Sequence, residues 1–213
     1  MSSESLILEL SSNLAPVRRR RMLPEAAIIL ALGGIELALF FVLGLMRPDI
    51  GSMASSPYLL WRSGSLAILA IVACTVAIRS YSPTAQPRQG LMLAYALAAL
   101  AAVGGIFVAP AGVGDLTLIE RLDPARGLLC SLSIIALSLP IVALLGALMR
   151  NAAPTQPRRS ALASGIAAGT IGALIFAFCC PINDPLYVVV WYGAGCAAVA
   201  GAARWRLTRR FSL

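Results

Sequence analysis

Apolar residues run almost unbroken through six stretches, near residues 24–46, 59–80, 90–110, 126–149, 160–180 and 185–204, with polar residues gathered in the short segments between them. A helix of roughly 17–25 residues crosses a hydrocarbon core of about 30 Å, and every stretch falls in that range. Helix is the expected form because hydrocarbon offers no water to backbone N–H and C=O groups, which a helix satisfies within one segment. The alternation of apolar and polar positions that marks membrane β-barrel strands is missing from the sequence. The pattern therefore predicts an all-α membrane protein built as a six-transmembrane-helix bundle.

Composition agrees with the pattern. Of the 213 residues 59% are hydrophobic and 12% charged, and the mean hydropathy of +0.86 leaves too little polar surface for a soluble globule. Charge then orients the bundle. All 17 basic residues are arginine, and 13 of them share one side: Arg18 to Arg21, Arg79, Arg88, Arg150, Arg158, Arg159, Arg204, Arg206, Arg209 and Arg210. The other side carries Arg47, Arg62, Arg121 and Arg126, mixed with Asp49, Asp115, Glu120, Asp123 and Asp184. The excess of arginine puts both termini in the cytoplasm, as an even number of spans requires. The net charge of +8 is then a topological signal with affinity for anionic membrane lipids, and no nucleic-acid partner is expected. The expected organisation is a tail with a basic anchor over residues 1–23, a membrane domain over 24–204 and a basic cytoplasmic C-terminus over 205–213. Ala26 to Met46 is longer than the roughly 7–15 residues of a signal-peptide core and has no small-residue cleavage pattern after it. It reads as a permanent first span.

In the tail, Leu6, Ile7, Leu10, Leu14 and Val17 recur at helical spacing, with Ser5, Glu9 and Ser12 on other faces and Pro16 as a terminator. This predicts a short amphipathic helix of about 12 residues, marginal alone in water, whose apolar stripe needs a partner. The partner is either a protein groove or the inner membrane surface. Inside the spans, Glu36 is the one carboxylate near the middle of an apolar stretch, and a structural role facing an interior polar group is expected. Gly165 and Gly169, and the stripe Gly193, Ala197 and Gly201, predict close helix packing within the chain. Pro110 marks a span end and Pro140 a kink.

The cysteines separate by depth. Cys74 and Cys196 are embedded in apolar sequence and read as small core residues. Cys130 lies about one turn into the fourth span, while Cys179 and Cys180 close the fifth, so both positions reach the same outer face. Two chemistries suit thiols there: reversible disulfide formation, or capture of a soft ion such as Cu(I) or Cd(II) by thiolates, with Asp184 in reach as support. The sequence has no histidine, so an imidazole site is excluded. No obligatory cofactor is implied.

Leu6-Ile7 with Leu10, Leu14 and Pro16-Val17, then Trp61-Arg62, Cys130 with Pro140, and Cys180-Pro181 leading to Asp184-Pro185 and Trp191-Tyr192 together resemble the NrsF family of six-span membrane anti-sigma factors. The resemblance spans nearly the whole chain, and the Cys-Pro-x-x-Asp-Pro-x5-Trp-Tyr stretch is its most specific part. It implies a regulator, not an enzyme, in the bacterial inner membrane. Leu6, Ile7, Leu10, Leu14, Pro16 and Val17 would hold an extracytoplasmic-function sigma factor in the cytoplasm. Cys130 and Cys180 would sense soft metal or oxidising stress, with Asp184, Trp191 and Tyr192 as supporting residues. The chain departs from the family pattern at Cys179, where histidine is common, and at Arg62, where lysine is common.

Two other classes compete. A small transporter or channel would need several polar groups along a midplane path, and Glu36 is a single one. A membrane thiol-disulfide oxidoreductase would need a cycling dithiol, and the chain contains no C-x-x-C. A quinone-reduction assay on the purified protein is expected to be blank, and turnover would favour the oxidoreductase.

Overall fold

The computed structural model describes residues 22–47, 51, 56–82, 86–108, 117–152 and 154–209. It contains helices α1 (Met22–Val42), α2 (Pro57–Ser80), α3 (Pro87–Phe107), α4 (Leu118–Leu122), α5 (Pro124–Arg150), α6 (Pro157–Ala177) and α7 (Pro185–Arg209). They make up six segments long and apolar enough to cross a membrane, α4 and α5 sharing one, as the hydropathy pattern predicts. No strand occurs among the described residues. The expected tail helix, with Leu6, Ile7, Leu10, Leu14, Pro16 and Val17, lies outside the described residues, as does Pro110.

Prolines set the helix starts. Pro57, Pro87, Pro124, Pro157 and Pro185 each open a helix, where the missing N–H costs nothing because no intrahelical acceptor exists for it. The fifth apolar stretch was expected to stay helical to residue 180, but α6 stops at Ala177. Pro181 accounts for the early stop, since its ring disfavours helical backbone at Cys180. Cys179 and Cys180 therefore lie on irregular chain between α6 and α7. The short α4 was not foreseen. Thr117 and Glu120 close its start with a capping box, and Asp123, at φ 33°, both ends it and caps α5 by accepting from the Arg126 amide at 3.4 Å. Aspartate tolerates that left-handed backbone better than most residues. Helix α5 runs on through Pro140.

Helix α6 is the hub, packed against α2, α5 and α7. Its apolar window is 72% buried, against 11% for α1 and 17% for α3, so those two helices form the rim. Small residues make this centre thin. A Cβ on Gly165 would sit 2.6 Å from the Ala200 Cα, and one on Gly172 2.4 Å from the Ser138 Oγ, so α7 and α5 approach as closely as backbone allows. The second small stripe behaves otherwise. Nothing lies within 4 Å of a Cβ on Gly193 or Gly201, which line an open groove with Ala197 beside α2 and α3. The expectation of tight internal packing there is corrected, because α3 leans away from α7 and leaves that face to the surroundings.

At one end of the bundle, Tyr81 shares a 2.7 Å hydrogen bond with Ser164 and donates to the Leu145 carbonyl, while Ser160 donates to the Ser80 carbonyl at 3.1 Å. These join α2, α5 and α6 without a charged group. Glu36, expected to find an interior polar partner, has both carboxyl oxygens buried and unpartnered among the described residues.

Gly165→Leu is expected to cost about 1–3 kcal/mol or more by overpacking against backbone, seen as a lower melting temperature in detergent. Gly201→Leu should melt like the wild type, and equal loss in both would overturn this packing assignment.

Candidate thiol site

At the opposite end of the bundle, the close of α1, the starts of α2, α5 and α7, and the 178–184 segment converge. Cys130 reaches the site from the first turns of α5 and is 7% exposed, while Cys180 comes from the irregular segment and is 2% exposed. They pack with Tyr187 in one small cluster walled by Phe176, Ile182 and Trp191. The Cys130 sulfur shares a 3.1 Å hydrogen bond with the Tyr187 hydroxyl. The Cys180 thiol lies in the segment between the spans. Its hydrogen bond with Cys130, reinforced by the nearby Arg62 guanidinium, outweighs burial and holds the Cys180 thiol below its usual pKa. Cys179 is turned back along α6, its sulfur 3.9 Å from the Ile175 carbonyl, and burial pushes its pKa up.

The irregular segment is held by donors from two other helices. Arg62, with no exposed surface, donates to the carbonyls of Cys180 at 3.3 Å and Ile182 at 3.1 Å, and to the Tyr192 hydroxyl. Its guanidinium carbon also lies 5.0 Å from the centre of the Tyr192 ring. Tyr58 donates to the Ile182 carbonyl at 3.4 Å. Arg47, just beyond α1, donates from its side chain to the Cys180 carbonyl at 3.5 Å and to the Asn183 side-chain oxygen at 3.1 Å. Its amide donates to the Phe178 carbonyl at 3.3 Å.

The expected supporting residues occupy definite places. Asp184 accepts two 2.9 Å hydrogen bonds from Arg121 and a third from the Leu186 amide, so its carboxylate pins α4 to the segment and does not point at the thiols. Burial pushes the Asp184 pKa up, but those donors more than offset it and hold the group below the usual carboxylate range. Trp191 donates to the Leu122 carbonyl at 2.7 Å and lies on Gly127, where a Cβ would come within 2.0 Å of the indole. Tyr192, 3% exposed, braces Arg62. Cys74 and Cys196 pack within apolar clusters away from the pair.

Chemically, the site offers two sulfurs in one pocket. Among the described residues no three histidine, cysteine, aspartate or glutamate side chains gather as a metal-binding group. Cys130 and Cys180 suit either a two-coordinate soft ion or a disulfide. Sequence reasoning missed Tyr187, Arg121 and Arg47 as site residues, and read Arg62 as an outer-side charge and part of the family pattern, without a contact to the cysteine segment. One signal was available: Arg62 stands more than a turn inside an apolar helix, where a charge needs a reason.

The chain resembles known proteins along its whole length. A protein of Caulobacter vibrioides named anti-sigma-F factor NrsF is 27% identical over 210 residues, covering 96% of each chain. Another from Azospira oryzae, named probable anti-sigma-F factor NrsF, is 35% identical over 66 residues, or 31% of each chain. No solved structure matches. The family profile described as negative regulator of sigma F covers residues 10–211. With that match over nearly all of its length, a six-helix bundle and the Cys180-to-Tyr192 stretch in place, the chain belongs to the NrsF family of negative regulators of sigma F.

Proposed function

We propose that this regulator sequesters an extracytoplasmic-function sigma factor at the bacterial inner membrane and releases it when Cys130 and Cys180 react. The observation that carries the reading is the meeting of two buried thiols from distant parts of the chain in one small cluster. Both termini are cytoplasmic by the arginine distribution, so the cysteine pocket faces outward and the tail inward. Leu6, Ile7, Leu10, Leu14, Pro16 and Val17 form the sigma-binding stripe, and sequestration keeps the partner from RNA polymerase.

Two inputs suit the pocket. A soft ion such as Cu(I) would be held by the two sulfurs as thiolates, each thiol giving up its proton on binding, and Cd(II) would recruit further donors. An oxidant of the peroxide class draws two electrons and two protons from the thiols, forms one S–S bond and leaves as two waters. Cys179 is outside the pocket and is not a sensor.

The full chain is expected to co-purify with its sigma factor in detergent. Leu10→Asp, or deletion of residues 1–17, should abolish the association, and full retention by the truncated chain would overturn the tail assignment.

Cys130→Ser and Cys180→Ser should each preserve repression and stop induction by metal or peroxide, whereas Cys179→Ser should induce normally. Mass spectrometry after diamide treatment should find Cys130 and Cys180 consumed together and Cys179 still open to alkylation. Normal induction in both serine variants would sink the sensor reading.

A further inference from the structure

Sensing at one end of the bundle must reach a tail at the other, and the contacts of the Cys180 backbone supply a route. We propose that Arg47 and Arg62 are positioning residues that relay the state of Cys180 to α1, an inference that rests on the sensor reading above.

The Cys180 carbonyl is a shared acceptor. Arg62 reaches it from α2 at 3.3 Å and Arg47 from the far end of α1 at 3.5 Å. These arginines and Tyr58 hold three of the four residues from Cys180 to Asn183: Cys180 and Ile182 through backbone oxygens, Asn183 through its side chain. A sulfur that moves to bond Cys130 or a metal ion re-aims the Cys180 Cα, and its carbonyl turns with it. Neither arginine can follow freely. Arg62 is also braced on Tyr192, and Arg47 also holds Asn183 and, through its amide, Phe178.

Between Arg47 and α1 the chain is stiff. Gly44, at φ 67°, donates to the Phe41 carbonyl and Leu45 to the Phe40 carbonyl, both at 3.1 Å. Those two bonds make a Schellman cap, which fixes the direction of the chain leaving the helix. Elsewhere α1 is lightly held. Its window is the least buried of the six at 11%, and Leu30, Ile35, Phe41 and Val42 are exposed on the bundle surface. Arg47, by contrast, is 4% exposed. A helix tied firmly at one end and loosely along its length shifts as a body when that tie changes, and α1 leads directly from the tail. The tie and the loose packing together make α1 the element with two arrangements that a relay requires.

Arg47→Gln is expected to raise uninduced sigma-dependent output roughly 5- to 150-fold, the ordinary range of coupling between two sites. Arg47→Lys, which can still donate to the Cys180 carbonyl, should restore most of the repression. The double variant Arg47→Gln with Cys180→Ser should stay high, because the relay lies after the thiols. In Arg47→Gln the amides of α2, α5, α6 and α7 should keep wild-type protection from hydrogen exchange, which a merely unfolded protein would not do. Should Arg47→Gln fail to accumulate, wild-type protein gives the answer by hydrogen exchange: segments 40–47 and 178–183 should exchange faster after diamide oxidation than in the reduced state. Wild-type repression and induction in Arg47→Gln, or unchanged exchange on oxidation, would overturn the relay. If the serine variants at Cys130 and Cys180 induce normally, the sensor reading itself fails. If they do not induce while Arg47→Gln behaves as wild type, only the relay fails.

Discussion

Residues 178–184 form a stretch of non-helical backbone between two membrane helices, and before Asp184, whose carbonyl accepts from the Val188 amide, their carbonyls lie outside any helix ladder. Near hydrocarbon each such group needs a donor or costs several kcal/mol. Arg62 answers that need from within α2, where its two terminal nitrogens serve the carbonyls of Cys180 and Ile182 and the Tyr192 hydroxyl. The rest of the site depends on this arrangement. It lets the chain leave α6 early, turn at Pro181 and place the Cys180 sulfur against Cys130, where a helix continued to residue 180 would have carried the sulfur elsewhere. No carboxylate pairs with Arg62 among the described residues, and its Nε is unpartnered. Its positive charge is therefore left to act on its neighbours, and it favours the ionised form of the Cys180 thiol.

Asp184 shows how the charges at this end are divided. Its carboxylate could have neutralised Arg62, yet it pairs with Arg121 through two 2.9 Å bonds and ties down α4 instead. With Trp191 bonded to the Leu122 carbonyl and resting on Gly127, that pair closes the outer wall of the pocket. The small size of Gly127 and the irregular backbone after Ala177 serve one end: they bring Trp191, Tyr187 and the two sulfurs into one cluster with little surface open to solvent.

The architecture was legible in the sequence because membrane helices announce themselves by length and apolarity, and because arginine placement predicts the side of each loop. From those two facts alone Cys130 and Cys180 fall at one end. What could not be read was depth and direction. Cys179 and Cys180 are chemically alike and adjacent, and only the stop of α6 at Ala177 turns one sulfur into the pocket and the other back toward Ile175. Gly193 and Gly201 match a packing motif as well as Gly165 does, but a motif does not say whether a neighbouring helix comes close, and α3 does not. In the sequence Arg62 reads as an outer-side charge and as part of the family pattern, not as a buried donor. Its burial follows from unsatisfied carbonyls more than one hundred positions away, which no local pattern records.

The uneven packing of the bundle bears on how such a protein can signal. Helices α2, α5, α6 and α7 interlock through glycine, alanine and serine contacts that leave backbone against backbone, and a centre of that kind resists sliding. Movement must then fall to the rim, to α1 or α3. Helix α3 is joined to α2 near the cysteine end by the Trp61 indole donating to the Ala101 carbonyl at 3.1 Å, but among the described residues no hydrogen bond joins it to the cysteine segment. Helix α1 is joined to that segment through Arg47 and is otherwise the least buried of the six, with Glu25 and Ile29 its buried residues. The same loose packing that makes α1 look dispensable to the fold makes it the element most responsive to a change at Cys180, and it is the helix continuous with the tail.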